Sequence, residues 1–356
     1  MRAWRETGGE PSRDARAEHD PAHSAVLEEL DERGIELDPQ AAQTGPARTH
    51  VHDDAEPHSH PHVHSEPGEP PVIGIVGAGA VGTALGVALD RAGWVVGAVA
   101  SRDPARRDRF RSLVPGVRAF AEATAVLDDA ELIIVAVPDD AIAVVAGGLR
   151  LYGGQAIVHT SGALGPEVLE PAMAAGTQAG TFHPLVSFAD VERSVEALRG
   201  ATVAIEGDEE LAAALGQMAE AIGAVPVRLA AGSKAAYHAA AVLAAGGFVA
   251  LLDAIAELGR VAGLDEPGAL AIYGRLVEQT LANARALGIA KALTGPLARG
   301  DVGTLDRHLR TMAAAAPAAL PLYRAAAERE IALAVGRGTL ATEAAAALRS
   351  RLAQPD

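Results

Sequence analysis

The segment VIGIVGAGAVGTALGVALDRAG, residues 72–93, constrains the fold more than any other part of the chain. A short apolar run leads into Gly77-x-Gly79-x-x-Gly82, and apolar residues at helical spacing follow. This order of strand, glycine turn and helix predicts that backbone N–H groups at the helix N-terminus hold a dinucleotide pyrophosphate. A glycine-rich turn without a ligand is the alternative. The residues predicted to hold the pyrophosphate are Gly77, Gly79, Ala80, Val81 and Gly82.

Beyond this segment, Val- and Ile-rich runs alternate with helix-period stretches up to about residue 230. Continuous apolar runs with helices between them indicate a parallel sheet covered on both faces. After residue 230 the chain is Ala- and Leu-rich at helical spacing. We therefore predict an α/β fold, with a Rossmann-type parallel sheet at 71–230 followed by an all-α C-terminal domain at 231–356. The predicted strands are 72–76, 95–100, 132–137, 156–159, 180–182, 201–205 and 225–227.

Residues 1–70 differ in composition from the rest and are predicted to be a disordered tail. They carry a net charge of −10 out of −16 for the whole chain, and they are poor in aromatic residues. A short amphipathic helix over 24–34 is conceivable, and we favour a transient one. The tail is also His-rich, so it could bind metal, although a solvated linker is the simpler interpretation. Its clustered histidines are His50, His52, His58, His60, His62 and His64.

Composition excludes several classes of function. The chain has no cysteine, which rules out disulfides, thiolate metal sites and a cysteine nucleophile. No basic, aromatic-interleaved patch is present, so nucleic acid is an unexpected partner. The longest uncharged run, 239–252, is shorter than the roughly 18 residues of a membrane span, and the start of the chain lacks the apolar core of a secretory signal. We expect a soluble, cytoplasmic protein without a resident metal.

The tip of the second predicted strand indicates which dinucleotide binds. An NAD site usually places an acidic residue there to hold the ribose hydroxyls. Here Ser101 and Arg102 come first, which suits a 2′-phosphate. Asp103 is followed by Pro104, a pattern typical of a helix N-cap with proline at the first helical position. The prediction is therefore NADP(H).

Further candidates follow other strands, where the carboxyl edge of an open α/β sheet binds ligands. Val137 and Pro138 follow the strand LIIVAV and should shape the cofactor crevice. Ser161 and Gly162 follow AIVH, within HTSGALG. His183 ends GTFH, and Pro184 after it should end that strand. Its imidazole either faces the crevice as a substrate or catalytic group or only bonds the backbone.

Several motifs together resemble one family within the 6-phosphogluconate-dehydrogenase-like superfamily. The motifs are GAGAVGTAL, AVPDDAI, HTSGALG, GTFHPLVSF, KAAYHAAAVLAA and LTGPLARGD, and they extend from Val72 to about Tyr323. The family consists of predicted NADP-dependent oxidoreductases with a Rossmann half and a helical half of once-unknown function. Some of its members are implicated as alternative ketopantoate reductases.

The resemblance implies a catalytic role for Lys234. A lysine at the start of this helix faces the nicotinamide in related reductases and protonates the carbonyl oxygen, and a solvated helix-start lysine is the alternative. His238 lies four residues on, on the same helix face, and is a second candidate acid with His183. Gly246 stands where the family commonly has Asn.

The motif LTGPLARGD could complete the substrate pocket. Arg299 could bind a carboxylate through two parallel hydrogen bonds from its guanidinium, and Asp301 could lie beside it. Alternatively the motif is a structural corner, in which Asp301 caps the next helix and Arg299 pairs with it.

The leading functional prediction is an NADPH-dependent reductase of a small 2-oxo acid, with ketopantoate as the best single guess. Alternatives are imine reduction, as in pyrroline-5-carboxylate reductases, a cofactor-binding sensor without catalysis, and a metal-buffering tail on a reductase-like body. The Ala- and Gly-rich segment 239–250 is too apolar to face water, so we expect it to be buried within the helical domain or across a homodimer.

Overall fold

The computed structural model describes residues 70–174, 176–230 and 232–354. The predicted acidic tail, its short helix and its histidine cluster lie outside the described residues. Within the described part, an eight-stranded sheet comes first and a helical region follows, as predicted. The strands are β1 (Ile73–Val76), β2 (Val96–Ala100), β3 (Arg118–Phe120), β4 (Leu132–Val135), β5 (Ala156–His159), β6 (Gln178–Pro184), β7 (Thr202–Glu206) and β8 (Val225–Arg228).

The order of the strands is β3-β2-β1-β4-β5-β6-β7-β8, so the chain changes direction across the sheet between β1 and β4. Such a switch point opens a crevice at the carboxyl ends of the two strands, where ligands bind. β1 and β4 are fully buried, and their apolar side chains pack against helices on both faces. The glycine loop after β1 therefore opens at the switch point.

One strand pairing differs from the all-parallel prediction, because β6 and β7 are antiparallel. Runs of Val and Ile indicate a strand that is buried on both faces of the sheet. An antiparallel strand inside a mixed sheet is buried in the same way, so the runs do not reveal strand direction. β6 also runs through His183 to Pro184, which lies opposite Val203, so the strand does not stop at His183 as predicted. Pro184 is tolerated because it is the last residue of the strand.

The edge strand β3 is absent from the prediction. Its three residues, Arg-Ala-Phe, are half-buried or exposed and lack the Val- and Ile-rich pattern of an inner strand. The helices of the sheet region are α1 (Ala80–Arg91), α2 (Pro104–Leu113), α3 (Asp139–Gly148), α4 (Val191–Ala197) and α5 (Glu209–Ala221).

The helical region begins with α6 (Lys234–Val242), and a π-helical turn, Leu243–Gly247, follows it. The described chain divides into two compact units after Ala241, so most of α6 belongs with the sheet. The second unit has a core around Leu305, Ile331 and Leu348, all fully buried. Its helices are α7 (Phe248–Val261), α8 (Glu266–Leu287), α9 (Ile289–Ala292), α10 (Val302–Ala315), α11 (Leu320–Gly336) and α12 (Thr342–Leu352).

The helical run Lys234–Val261 is long and apolar enough to cross a membrane, judged by length and composition. One such helix is weak evidence for a membrane span, because core helices of soluble proteins have the same length and composition. Its most apolar window has a mean hydropathy of 2.1, and 6% of that window is buried. The run includes 239–250, whose residues are mostly exposed. The expectation that this segment is buried inside the helical domain is therefore not met within the described chain.

Candidate active site and cofactor loop

The loop between β1 and α1 has the geometry of a phosphate-binding turn. Gly77 has a φ of +114°, and a methyl group there would collide with the carbonyl oxygen of Ala136. A methyl group at Gly82 would collide with the carbonyl oxygen of Gly77, because helix and strand pack so closely. Gly79 is the N-cap of α1, and no side chain caps the helix there. The first-turn N–H groups of α1 therefore have no intrahelical partner and suit an anion.

Gly79 faces open space rather than protein. A methyl group at this position would have one described heavy atom within 4 Å, Nη1 of Arg106 at 4.0 Å. A bound pyrophosphate can therefore approach the backbone, as the second glycine of this motif requires. On these observations the residues present fit a dinucleotide.

The tip of β2 is organised by the start of α2. Asp103 accepts hydrogen bonds from the N–H groups of Ala105 (2.9 Å) and Arg106 (3.4 Å), with proline at the start of the helix. The predicted N-cap role of Asp103 is confirmed. Arg107 donates to the carbonyl oxygens of Ser101 and Arg102 and so holds the loop. Arg102 itself is exposed, and its guanidinium has no partner among the described residues.

Val137 and Pro138 follow β4 on the other side of the switch point. Ala136 donates its N–H to the carbonyl oxygen of Val76 at 2.8 Å, which continues the sheet pairing beyond β4. Val137 then lies beside the glycine loop, with Cγ1 3.1 Å from where a methyl group at Gly77 would be. Pro138 is the N-cap of α3.

The loop after β5 depends on a buried histidine that the sequence analysis did not single out. His159 is fully buried, and its Nδ1 accepts the N–H of Ser161 at 3.2 Å. Its Nε2 lies 2.9 Å from the carbonyl oxygen of Gly165, so the pattern assigns the proton to Nε2. Burial lowers the pKa of His159, which keeps the imidazole neutral. The sequence indicated this role of His159 only by its position at the end of the predicted strand AIVH.

Ser161, a predicted catalytic or substrate residue, has a clear local role. It is 5% exposed, and its Oγ accepts the N–H groups of Ala163 and Leu164, both at 3.1 Å. These bonds build the tight turn that follows. Because both bonds use Oγ as the acceptor, the hydroxyl proton is left for another partner.

Gly162 brings two predicted histidines together. A methyl group there would clash with Nδ1 of His238 and would lie 2.7 Å from Nε2 of His183. The two imidazoles meet edge to face, with ring centroids 5.7 Å apart. The ring of Tyr237 meets His183 in the same way, also at 5.7 Å. His183, His238 and Tyr237 thus form one cluster against Gly162, and we call it the His–Tyr cluster.

The His–Tyr cluster contains three buried polar atoms without a hydrogen-bond partner among the described residues. They are Nδ1 of His183, Nδ1 of His238 and the hydroxyl of Tyr237. Buried polar atoms are nearly always paired, so three in one place indicate a site for a ligand or ordered water. Burial, then His238 and Lys234, lower the pKa of His183 to about 4, and burial raises the pKa of Tyr237. Both groups are therefore neutral near pH 7.

Lys234 is buried and paired at the start of α6. It is 5% exposed, and its Nζ lies 2.9 Å from Oε2 of Glu206. Thr181 donates its hydroxyl to the same oxygen at 3.1 Å. Burial lowers the pKa of Lys234, and the hydrogen bond and charge of Glu206 oppose that shift.

Glu206, Thr181 and Tyr237 were missed by the sequence analysis. Thr181 lies opposite Glu206 on one side and His159 on the other, so the three residues form a row across β5, β6 and β7. That row depends on the antiparallel pairing of β7, for which the sequence has no clear signal. Tyr237 had a signal, because it lies three residues after Lys234 and so on the same helix face.

Arg299 and Asp301 belong to the helical unit. Asp301 caps α10, accepting the N–H of Thr304 at 2.9 Å and its hydroxyl at 2.7 Å. These hydrogen bonds lower the pKa of Asp301. The capping part of the structural-corner alternative is therefore observed. The guanidinium of Arg299 makes no hydrogen bond or ion pair within the described residues, although its charge also helps to lower the pKa of Asp301. Gly246 lies in the π-helical turn, and nothing lies within 4 Å of a methyl group built there.

Comparison with known proteins agrees with this architecture. Residues 64–184 match the Rossmann-like domain family, and residues 201–330 match a domain of unknown function, DUF2520. No curated protein matches the chain.

Solved structures with the same fold include a candidate NADP oxidoreductase from Bacteroides fragilis, 25% identical, with a TM-score of 0.64 over 74% of this chain and 98% of that one. A protein from Thermotoga maritima is 28% identical, with a TM-score of 0.57 over 75% of this chain and 99% of that one. The 1-pyrroline-5-carboxylate reductase from Streptococcus pyogenes is 15% identical, with a TM-score of 0.54 over 74% of this chain and 98% of that one.

The fold, the glycine loop and these matches define a Rossmann-type protein with a helical C-terminal region, and the solved structures similar to it include NADP-dependent oxidoreductases. More particularly, the chain joins a Rossmann-like domain to a DUF2520 domain. This combination of domains confirms the resemblance that the motifs indicated.

Proposed function

We propose that the protein is an NADPH-dependent reductase that acts on the C=O or C=N bond of a small molecule. The observation that carries the proposal is the His–Tyr cluster, with its three unpartnered polar atoms in the same unit as the glycine loop. A carbonyl oxygen or an imine nitrogen is a group that such atoms can bind and orient.

The cofactor, when bound, supplies the hydride. Backbone N–H groups from Gly77 to Gly82 would hold its pyrophosphate at the start of α1. The free guanidinium of Arg102 and the hydroxyl of Ser101 would hold the 2′-phosphate. Val137 and Pro138 would shape the crevice at the switch point.

Lys234 is the proposed proton donor. A group that becomes negative as hydride arrives must be neutralised, and an acid whose pKa lies nearer to neutrality does this best. Burial lowers the pKa of Lys234 in that direction, while Glu206 keeps the ammonium charged and fixes its position. The lysine ammonium has three donors, and one of them is used on Glu206.

The other residues of the site are proposed to bind and orient substrate. His183 is neutral with a pKa of about 4, so it is a poor acid at pH 7 and a good hydrogen-bond partner. Tyr237 keeps its proton because burial raises its pKa, and it can donate to the substrate heteroatom. His238, with Ser161 and Gly162 across from it, would complete the contact surface.

A 2-oxo acid, with ketopantoate as the first compound to test, is the candidate substrate from the sequence. Its carboxylate needs a cation, and the matched methyl esters described below test whether the carboxylate is recognised.

Imine reduction is a second candidate, favoured by the charges in the sheet unit. Three carboxylates, Glu206, Glu167 and Asp139, all act on the ammonium of Lys234. Asp139 also acts on His183, whose lowered pKa of about 4 leaves it neutral. Negative charges around the site favour a bound cation, such as a protonated imine, over a bound anion, such as a 2-oxo acid.

A sensor without catalysis remains a third candidate because of Gly246. The open space at this glycine would admit the Asn side chain that the related family commonly has there. The sensor predicts tight NADPH binding with no turnover of any carbonyl or imine.

A homodimer is the proposed assembly. The helices α7 and α8 expose many large apolar side chains, among them Val249, Ile272, Leu276 and Leu281. An apolar surface of this kind on a soluble chain is typical of an interface. A second copy of the chain is the occupant we propose, because the mostly exposed apolar segment 239–250 leads directly into α7 and so extends the apolar surface along the chain.

The function is tested by following NADPH oxidation with matched pairs of compounds. Ketopantoate and other 2-oxo acids would be compared with their methyl esters, and cyclic imines with and without a carboxylate would form the second set. Preference for the acids supports ketopantoate-type reduction, and preference for the imines supports the second candidate. Tight NADPH binding with no turnover would leave the sensor.

A further inference from the structure

We propose that an acidic segment of this chain, residues 53–69, docks on the arginine-rich surface of α2 and competes there with the dinucleotide. The acidic segment lies outside the described residues, and its sequence gives its charge and its length. The docking goes beyond the proposed function, whereas the competition rests on it, because a dinucleotide must bind at the glycine loop for the two to compete.

The surface of α2 is dominated by arginine. The stretch 102–111, from the tip of β2 along α2, holds five arginines and two aspartates, although residues 71–356 as a whole are net acidic. Phe110 is the buried residue of this helix, so the arginines lie towards the outside. We call these five arginines the basic surface, and they are Arg102, Arg106, Arg107, Arg109 and Arg111.

Two aspartates neutralise part of the basic surface. Oδ2 of Asp103 lies 3.4 Å from Nε of Arg106. Oδ1 of Asp108 lies 2.6 Å from Nη2 of Arg111. Both pairs are largely exposed, and exposed ion pairs are weak. Both arginines can therefore bind a further anion.

The other three guanidiniums have no carboxylate partner among the described residues. Arg102 and Arg109 are exposed, and their side chains make no hydrogen bond or ion pair there. Arg107 donates to the carbonyl oxygens of Ser101 and Arg102, which leaves its charge uncompensated. The basic surface therefore keeps a positive charge that a partner can neutralise.

The acidic segment has the complementary charge. Residues 53–69 include five carboxylates and no lysine or arginine. A carboxylate binds a guanidinium through charge-assisted hydrogen bonds, and a network of such pairs binds more firmly than one exposed pair does. The five carboxylates are Asp53, Asp54, Glu56, Glu66 and Glu69.

The acidic segment joins the sheet within reach of the basic surface. It ends at Glu69, and β1 begins at Ile73, beside β2. Because α2 connects the end of β2 to β3, it runs back towards the edge of the sheet at which the chain enters β1. The acidic segment can extend over about 55 Å, and α2 is about 15 Å long, so the carboxylates can reach every arginine.

The basic surface adjoins the glycine loop. Gly77 donates its N–H to the carbonyl oxygen of Ala100, the last residue of β2, at 2.8 Å. Arg102 follows two residues later and is the proposed ligand of the 2′-phosphate. A carboxylate of the acidic segment and the 2′-phosphate are both anions, so they compete for the same guanidinium.

Disulfide trapping in the full chain tests the docking, because the chain has no cysteine of its own. Ala55→Cys places one thiol in the acidic segment, and Ser112→Cys places the second on α2 at an exposed position. In the control the second thiol is Val144→Cys, 77% exposed on α3, which packs on the other face of the sheet. Docking raises the effective concentration of the paired thiols, so trapping with Ser112→Cys should be at least about tenfold faster at low salt. The difference should disappear at 1 M salt, where the Debye length is about 3 Å.

Calorimetry of the full chain with NADPH at low salt tests the competition. Neutralising the three carboxylates of residues 53–56, Asp to Asn and Glu to Gln, should raise the affinity about 3- to 30-fold, the range of two or three exposed ion pairs. The control neutralises Glu28, Glu29 and Glu32 to Gln, which makes the same change in net charge outside the acidic segment. Its affinity should stay within about twofold of the wild type.

Trapping at the control rate would overturn the docking and leave the proposed function untouched. Disulfides that join two chains instead of one, detected by mass, would overturn it as well. Unchanged NADPH affinity after neutralisation of residues 53–56 would overturn the competition. If the wild type binds no NADPH, the proposed function fails, while the trapping rates still decide whether the acidic segment docks.

Discussion

Nζ of Lys234 and Oε2 of Glu206 form a buried ion pair at 2.9 Å, with lysine and glutamate side chains 6% and 16% exposed. The lysine begins α6, and the glutamate ends β7. A lysine placed this way keeps its charge out of water, in a fixed position. Such a pair serves a reaction better than it serves stability, because removing two charges from water is itself unfavourable.

Replacing Lys234 tests the proton-donor role. Lys234→Met keeps the apolar stem and removes the proton, so we expect turnover to fall by about 100- to 10,000-fold with NADPH affinity nearly unchanged. The charge of Glu206 would remain buried and unpaired, so the double variant Lys234→Met, Glu206→Gln separates lost stability from lost chemistry. Lys291, the only other lysine of the chain, is exposed, and Lys291→Met is the control. Wild-type turnover in both Lys234 variants would remove Lys234 from the mechanism, leaving His238 and Tyr237 as candidates for the proton donor.

Gly162→Ala tests whether the His–Tyr cluster binds substrate. The added methyl group would displace His183 and His238, so we expect kcat/KM to fall at least about tenfold, as misplacement of binding groups does. Gly216→Ala is the control, because Gly216 lies in α5 with nothing within 4 Å of an added methyl group. That control should be slightly more stable than the wild type, by about 0.5–1 kcal/mol. An unchanged kcat/KM in Gly162→Ala would show that substrate does not use this cluster.

Arg102→Asp tests the cofactor preference. Losing a charge-assisted pair to the 2′-phosphate should weaken NADPH by about 1.5–3 kcal/mol, with little effect on NADH. The ratio of the two dissociation constants is the measurement. Equal weakening of both cofactors would contradict the assignment of Arg102 to the 2′-phosphate.

The buried neutral state of His183 predicts a pH dependence of stability. Burial, with His238 and Lys234 nearby and Asp139 opposing, lowers the pKa of His183 to about 4 in the folded protein, from 6.5 when it is exposed. The unfolded chain therefore binds more protons between these values, and the unfolding free energy falls as pH drops from 6.5 towards 4. His183→Gln, measured by denaturant unfolding across this range, should have a shallower slope. The same slope in wild type and variant would assign the pH dependence to other groups.

The exposed apolar faces of α7 and α8 predict a homodimer. Leu276 is 58% exposed, and Leu276→Glu should shift the mass from dimer to monomer in light scattering at micromolar concentration. Val144→Glu is the matched control, because Val144 on α3 is 77% exposed outside these helices and should leave the mass unchanged. A wild-type monomer under these conditions would contradict the dimer. A monomer that floats with lipid vesicles would instead assign the apolar run Lys234–Val261 to a membrane.

Local patterns in the sequence were sufficient to predict the first strand, turn and helix and the order of the sheet and helical regions. The run VIGIV and the three glycines predict β1, the turn and α1, because each of these features needs only neighbouring residues. The Asp103-Pro104 pair predicted the start of α2 for the same reason. The change from Val- and Ile-rich runs to helical spacing separated the sheet from the helical region.

Tertiary structure alone decided how the candidate site is assembled. His183 reaches Gly162 and His238 from different elements, and Lys234 meets Glu206 only because β7 runs antiparallel to β6. Buried apolar strands look alike in either direction, since both directions bury the same side chains. The pairing of polar groups distant in the chain is therefore set by strand direction and register, which the packing of the whole domain selects and no single segment encodes.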